Sequence, residues 1–254
     1  MKIFVLSKDT ILIYGLVILV LVGMFTVGTM SETVLTNANQ SNSLPIYSVE
    51  RADNKIALTF DAAWGDEDTD AIIKVLQENN VKASFFMVGG FIDRYPESVK
   101  KYAAAGHEIL NHSDTHLHMS KLEAEQIVKE LEGCENKISA LGITSKKLFR
   151  APYGDYNENL INVAKNNGFT SIQWDVDSLD WKDISAEDII KRVVKNTKSG
   201  SVILMHCGAK NTPAALSEMI MQLKNKGFEF VPVSELIYKE NYVVDGSGRQ
   251  IKYQ

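Results

Sequence analysis

The chain has 254 residues, of which 45% are apolar and 23% are charged. This composition is typical of a globular protein and excludes a disordered, collagen-like or multi-span membrane protein. The formal net charge of -5 argues against a nucleic-acid partner, because nucleic acids are bound by strongly basic surfaces. The sequence indicates no particular oligomeric state.

The first segment of the chain differs from everything after it. Lys2 and Lys8 precede residues 10–30, which carry no charged side chain. A helix of roughly 20 apolar residues is long enough to cross a bilayer. We therefore predict a cytoplasmic N-terminus over residues 1–9 and a transmembrane signal anchor over residues 10–30. The protein would then cross the cell membrane once, and most of the chain would lie outside the cytoplasm. The alternative is a cleavable signal peptide, which would make the protein secreted.

Polar stretches lie on both sides of the central region. Residues 31–53 are rich in Ser, Thr and Asn, and are predicted to be a linker. Residues 241–254 are polar and contain glycine, and are predicted to be a frayed tail. The central domain is therefore placed at residues 54–240.

Short apolar runs alternate with amphipathic stretches throughout this domain. The predicted strands are residues 56–60, 83–88, 108–111, 147–150, 170–175, 201–206 and 228–233, and the predicted helices are residues 70–76, 97–105, 124–141, 159–167, 186–197 and 214–226. Such alternation indicates βα units and a parallel sheet. The region is shorter than the usual eight-fold barrel of about 250 residues, so we predict an α/β fold of the distorted, contracted (β/α)7 barrel type. A doubly wound open sheet is the alternative.

Polar side chains follow five of the predicted strands. They are Asp61 after the first, residues 112–116 after the third, residues 150–154 at the fourth, residues 175–181 at the fifth and His206 at the sixth. In parallel βα folds the C-terminal ends of the strands meet at one rim, where ligands bind. The sequence therefore predicts a functional pocket at this rim.

The histidines indicate a metal site. His112 and His116 are four residues apart, which at a helical turn places both imidazoles on one side, where a divalent ion can bind them. His118 is a nearby alternative ligand. Imidazole ligands suit zinc, cobalt and nickel.

A carboxylate and an arginine are candidates for one pair. Asp61 either caps a helix or has a chemical role, and the late start of the next helix favours the chemical role. A buried Arg150 needs a carboxylate partner, for which Asp61 is the natural candidate. Pro152 and Gly154 favour a tight turn that can direct the backbone amide of Tyr153 at a developing oxyanion.

His206 is a candidate for a second pair. A histidine at the end of an apolar strand is more often a core residue than a catalytic one. Asp180 beside it would favour the imidazolium form and make His206 a general acid. Trp174 and Trp181 either pack in the core or form an apolar wall for a sugar ring.

Taken together, these residues resemble the NodB-type polysaccharide deacetylases, carbohydrate esterase family 4. The resemblance covers roughly residues 54–238 and rests on five motifs that occur in the family's order. They are TFDAAW at residues 59–64, HSDTH at 112–116, RAPYG at 150–154, DSLDW at 177–181 and LMH at 204–206. The resemblance implies a NodB homology domain that folds as a distorted (β/α)7-type barrel. Within the family, the whole chain resembles the membrane-anchored sporulation or cell-wall members.

The resemblance also implies a reaction and a cofactor. The reaction is metal-dependent hydrolysis of N-acetyl groups on the amino sugars of a polysaccharide, either peptidoglycan or a chitin-like oligosaccharide. The metal, most often zinc, is held by the two histidines of the second motif. The implied roles are metal ligand for His112 and His116, general base for Asp61, general acid for His206, orientation of the base for Arg150, tuning of the acid for Asp180 and oxyanion stabilisation for the Tyr153 amide.

One position departs from the family pattern. The family's first motif has a second aspartate that binds the metal, and this chain has Ala62 there. Because catalytic zinc usually has about three protein ligands, the site either binds the metal more weakly or uses another carboxylate, for which Asp61, Asp66 and Asp68 are the candidates. Ala62 also supports a second hypothesis, in which the chain is a catalytically weak or inactive glycan-binding protein on a deacetylase scaffold.

Overall fold

The computed structural model describes residues 44–253. The predicted cytoplasmic N-terminus, the predicted anchor and most of the predicted linker lie outside these residues. Within residues 44–253, no helix combines the length and the apolar character that crossing a membrane requires.

A curled sheet of parallel strands forms the centre of the domain. A short strand, β1 (Ser48–Val49), precedes it, and the sheet itself comprises β2 (Lys55–Ala62), β3 (Ser84–Met87), β4 (Glu108–Asn111), β5 (Leu148–Phe149), β6 (Thr170–Ser171), β7 (Val176–Asp177) and β8 (Val202–His206). Their spatial order is β6-β5-β4-β3-β2-β8-β7, and neighbouring strands are parallel. The strand β9 (Glu229–Phe230) pairs with the beginning of β2.

Strand β2 is buried on both faces, as expected for a central parallel strand. Ile56, Leu58 and Phe60 are fully buried in the main apolar cluster, which helices cover. Because side chains alternate along a strand, Thr59 and Asp61 point to the opposite face. The same alternation therefore builds the core and delivers a carboxylate to the inner side of the curled sheet.

Amphipathic helices connect the strands. They are α1 (Thr69–Glu78), α2 (Gly89–Arg94), α3 (Pro96–Ala104), α4 (Ala124–Ala140), α5 (Glu158–Asn166), α6 (Ala186–Asn196), α7 (Thr212–Asn225) and α8 (Val233–Leu236). Side chains cap three of the helix starts in the described residues, because Asn157 accepts from the Leu160 amide, Ser185 from the Asp188 amide and Gln126 from the Glu123 amide. Short 3₁₀ helices at Met119–Lys121, Pro152–Gly154 and Asp180–Lys182 lie in the loops that follow β4, β5 and β7.

The sheet curls into a parallel half-barrel, so the α/β class and the contraction are confirmed, whereas a closed ring of strands is not formed in residues 44–253. The strand predicted at residues 170–175 is replaced by β6 and β7, which are the two edges of the sheet. The segment before β2 lies between the β6 edge and the start of β8, because Ile46 pairs with Ile172 and Ser48 pairs with Ser201.

The predictions for both ends of the domain were wrong. Ile46 and Val49 are buried, so the predicted linker is part of the domain from residue 44 onward. A Cβ atom on Gly200 would lie 1.7 Å from the Val49 carbonyl oxygen, which shows how closely this segment lies against the sheet.

The predicted frayed tail is ordered as well. The strands β10 (Tyr242–Val244) and β11 (Arg249–Lys252) form an antiparallel hairpin, and β11 pairs in parallel with β1. The side-chain amide of Gln250 accepts from the Tyr238 N–H and donates to the Tyr238 carbonyl. The tail was misassigned because its strands are only 3 and 4 residues long, too short for their alternation to be recognised in a polar sequence.

Candidate active site

A pocket of about 540 Å³ opens at the C-terminal ends of the parallel strands. Most of the predicted site residues line it, whereas Arg150 and Asp180 are fully buried outside this lining. The lining residues are Asp61, Ala63, Trp64, His112, His116, Tyr153, Trp174, Asp177, Trp181, Leu204 and His206.

Arg150 fixes and ionises Asp61. Its Nη1 donates to Asp61 Oδ1 at 2.6 Å, and its Nη2 donates to the Thr59 hydroxyl and the Gln173 carbonyl. The guanidinium carbon lies 4.0 Å from the ring centroid of Phe86. Burial raises the pKa of Asp61, but the charge and hydrogen bond of Arg150, together with the charge of His206, outweigh burial and hold this pKa below its ordinary value. Asp61 is therefore an ionised carboxylate in a fixed orientation.

Removing Arg150 should destabilise the fold strongly. Arg150→Met is expected to lower the free energy of unfolding by about 3–5 kcal/mol, because it leaves Asp61 as a buried charge without its partner. Lys101→Met is the control, since Lys101 forms an exposed pair with Asp70 that is worth about 0–1 kcal/mol. Guanidinium chloride unfolding measures both losses, and equal losses would contradict the structural role of the buried pair.

His112 and His116 lie close together as neutral imidazoles. Their ring centroids are 5.1 Å apart. Burial lowers the pKa of His112, and it lowers the pKa of His116 to about 4. His112 Nδ1 donates to the Arg150 carbonyl at 2.8 Å, which leaves its Nε2 unprotonated and 3.5 Å from Asp61 Oδ2. Both rings are thus in the protonation state that binds a metal ion.

His206 and Asp180 form the second predicted pair. His206 Nδ1 donates to Asp180 Oδ1 at 2.7 Å. The other oxygen of Asp180 accepts from the backbone N–H of His206 and from the Thr212 hydroxyl. Burial lowers the pKa of His206, but the hydrogen bond and charge of Asp180 outweigh burial and raise it. Asp180 therefore favours the imidazolium and leaves Nε2 as the free ring nitrogen.

Tyr153 lies at the rim, beside the histidines. It adopts a left-handed backbone conformation with a φ of 61° inside the 3₁₀ helix Pro152–Gly154. Its ring stacks on His118 at 4.2 Å and lies 4.5 Å from the His116 ring. His118 bonds to Asp155 at 3.0 Å and does not line the pocket. The structure therefore groups His116, not His118, with His112.

Three tryptophans line the pocket, and sequence reasoning assigned no role to one of them. Trp64 is 44% exposed and stacks on His206, with ring centroids 5.2 Å apart and planes at 16°. Trp181 is 47% exposed at the rim. Trp174 is closely packed, because its ring lies 5.4 Å from the Arg150 guanidinium. The position of Trp64 just after β2, the strand that carries Asp61, was the signal that could have identified it.

Neither Asp66 nor Asp68 lies among the pocket-lining residues. Asp66 accepts a hydrogen bond from the Ser98 hydroxyl at 2.7 Å. Asp68 accepts from the Gly208 N–H at 2.8 Å. The other oxygen of Asp68 is buried without a hydrogen-bond partner. Because neither candidate lines the pocket, Asp61 is the one of the three that lies beside a histidine, His112.

The donor chemistry of the pocket fits a divalent ion. In the part of the chain that the structure describes, no three His, Cys, Asp or Glu side chains are grouped closely enough to hold a metal by themselves. However, His112 and His116 are neutral imidazoles, and an ionised oxygen of Asp61 faces His112. A backbone carbonyl orients His112 through its other nitrogen, which is the usual arrangement around a metal-binding histidine. His112 and His116 are the residues that would hold the ion.

Comparison with known proteins identifies the family. Residues 48–172 match the family model described as polysaccharide deacetylase. A peptidoglycan-N-acetylglucosamine deacetylase of Bacillus cereus is 36% identical over 190 residues, which are 72% of this chain and 68% of that protein. The chain belongs to the polysaccharide deacetylase family.

Solved structures of similar proteins include both enzymes and pseudoenzymes. A crystal structure of a peptidoglycan N-acetylglucosamine deacetylase has a TM-score of 0.73 and 34% identity, covering 76% of this chain and 92% of that one. A CE4 family pseudoenzyme from Bacillus anthracis has a TM-score of 0.74 and 27% identity, covering 82% of this chain and 73% of that one. A mutant of that pseudoenzyme is described as having restored enzymatic activity.

Proposed function

We propose that this protein is a metal-dependent deacetylase that removes N-acetyl groups from the amino sugars of a polysaccharide, either peptidoglycan or a chitin-like oligosaccharide. One observation carries the proposal. Asp61 and His206 are directly paired residues of the neighbouring strands β2 and β8, and each has a buried partner of opposite charge. A base and an acid are therefore positioned side by side in one pocket.

The two residues divide the proton transfers of amide hydrolysis. Asp61 Oδ2 accepts the proton of the attacking water, while Arg150 holds the other oxygen in place. His206, protonated beside Asp180, donates a proton to the leaving amine. His112 and His116 would hold a divalent ion, with zinc favoured over cobalt or nickel, and this ion would supply Lewis-acid polarisation of the acetyl carbonyl. The products are acetate and a free amino sugar.

The rest of the pocket binds and orients the substrate. The backbone amide of Tyr153 stabilises the developing oxyanion. The exposed indoles of Trp64 and Trp181 offer apolar faces on which a sugar ring packs. Trp174 also lines the pocket.

The direct test is acetate release from peptidoglycan and from N-acetylglucosamine oligomers, each measured with zinc or cobalt. We expect release from at least one substrate and its loss on chelation. The printed names of the deacetylase relatives support peptidoglycan as the first substrate to assay. Wild-type protein that retains glycan binding but releases no acetate would contradict the proposal.

That contradictory result would support a second candidate function, a glycan-binding protein with weak or no activity. Ala62 in place of the family's metal-binding aspartate motivates it. The similarity to a CE4 family pseudoenzyme adds to this motivation. The buried pairs of Asp61 and His206 oppose it, because binding alone requires neither a base nor an acid.

The rate should depend on pH through His206. Because His206 acts as an acid, kcat/KM should fall as the pH rises through its pKa. Asp180 raises this pKa, so Asp180→Asn is expected to move the alkaline limb of the profile to lower pH and to lower the rate at neutral pH. Thr212→Val, which removes a neutral hydrogen bond to the same Asp180, is expected to shift the limb less. An unmoved limb in Asp180→Asn would show that the limb belongs to another group.

We also propose that residues 10–30 anchor the protein in the cell membrane with the deacetylase domain outside the cytoplasm. The proposal rests on the uncharged run and on Lys2 and Lys8 before it. Membrane fractionation of the full chain tests it. A mature protein in the medium that begins after residue 30 would instead establish a cleaved signal peptide.

A further inference from the structure

The loop that carries His116 has an unusual backbone. We call residues 113–116 the histidine loop. Two of its residues that are not glycine have left-handed conformations, Ser113 with a φ of 67° and His116 with a φ of 60°. Each such residue costs about 1–3 kcal/mol and persists only where its surroundings enforce it. The histidine loop therefore requires an anchor.

Glu130 of α4 supplies that anchor. One oxygen of its carboxylate accepts from the backbone N–H groups of Asp114 at 3.0 Å and Thr115 at 2.8 Å. The other oxygen accepts from the Thr115 hydroxyl at 2.6 Å. These three hydrogen bonds attach the centre of the histidine loop to a helix.

The position of Glu130 on its helix is unusual for a charged residue. It is 8% exposed and lies on the buried face of α4, together with Ile127, Leu131 and Cys134. A buried carboxylate is costly unless its oxygens are satisfied, and here the histidine loop satisfies them. A glutamate within the apolar stripe of an amphipathic helix was the sequence signal for this role.

A second set of contacts shows how closely the histidine loop lies against its surroundings. Lys137 of α4 pairs with Asp114 at 2.6 Å. A Cβ atom on Gly133 would lie 2.8 Å from the Asp114 carboxylate, so α4 leaves room for the loop at this point. Within the loop, the His116 N–H donates to the Ser113 hydroxyl at 3.0 Å, so the placement of His116 follows from that of the loop.

We propose that Glu130 is a positioning residue for the metal centre: it acts through the histidine loop to hold His116 beside His112. It does not line the pocket and touches neither histidine in the contacts described. The inference rests on the proposed metal-dependent function. The inference predicts that the affinity for the metal depends on the Glu130 carboxylate, which lies outside the pocket lining.

Zinc titration of the full-length protein by calorimetry tests this role. Glu130→Ala is expected to weaken zinc binding by about 10–100-fold, the scale of losses when a supporting contact of a metal ligand is removed. Glu130→Gln retains an oxygen for the two N–H groups and is expected to restore most of the affinity. Glu132→Ala is the matched control, because it removes the same charge from an exposed position of α4 and is expected to leave zinc binding unchanged.

Other variants keep the test decisive if Glu130→Ala does not fold. Glu130→Asp keeps the charge but shortens the side chain, and is expected to weaken zinc binding. Hydrogen exchange of residues 113–116 should increase in the same variant. Weaker folding with wild-type zinc affinity would show a merely structural role and overturn the inference. Wild-type protein that binds no zinc would instead overturn the proposed metal dependence, and the inference with it.

Discussion

Asp61→Asn is expected to release acetate about 10²–10⁴-fold more slowly than the wild-type protein, which is the typical contribution of a positioned general base. An amide cannot accept the proton of the attacking water at neutral pH. In the proposed mechanism Asp61 is the base, because Arg150 occupies its Oδ1 while Oδ2 faces His112. Acetate release is measured with zinc present and with substrate both below and above KM.

The matched control for this variant is Asp66→Asn. Asp66 follows the same strand, but its carboxylate bonds to Ser98 outside the pocket lining, so its replacement should leave the rate near that of the wild type. Because Asp61→Asn also leaves Arg150 without its charged partner, folding is verified by circular dichroism. Equal trace release by the wild-type protein and folded Asp61→Asn would show that Asp61 is not the base.

Ala62→Asp is expected to tighten zinc binding at least about tenfold, because it returns a carboxylate to the position where the family has a metal ligand. Ala62 is the last residue of β2 and is fully buried in the main apolar cluster. A carboxylate there is costly without a metal, so the metal-free variant should unfold at lower temperature. Zinc should therefore stabilise this variant more than the wild-type protein.

Ala62→Asn separates the effect of charge from that of size. It introduces nearly the same volume without an anionic oxygen, and should bind zinc no more tightly than the wild type. A large rise in acetate release by Ala62→Asp alone would favour the second candidate function for the natural chain. Unchanged zinc affinity would show that an aspartate at residue 62 stays in the apolar cluster and does not reach the two histidines.

Much of the site was predictable because it follows from the topology of parallel strands. Asp61, His112 and His206 each end or follow a strand, and the C-terminal ends of parallel strands meet at one rim. The partner of Asp61 was also predictable, because an arginine buried beside a strand end requires a carboxylate. These inferences needed only the order of apolar and polar residues along the chain and the rule that the C-terminal ends of parallel strands meet at one rim.

The rest depended on contacts between segments distant in sequence. Ile46 reaches Ile172 and joins the sheet, which no local pattern in a polar segment indicates. Glu130 meets the histidine loop across a helix–loop interface. The stacking of Trp64 on His206 joins the loop after β2 to the last residue of β8. Such pairings become visible only when the chain is folded.

The most direct test of the central claim is the position of a zinc ion in crystals, located by anomalous scattering at the zinc absorption edge. The account predicts one strong peak within about 2.0–2.1 Å of a ring nitrogen of both His112 and His116, on the side that faces Asp61. A peak at His118 and Asp155 instead, or no peak in the pocket at saturating zinc, would contradict it.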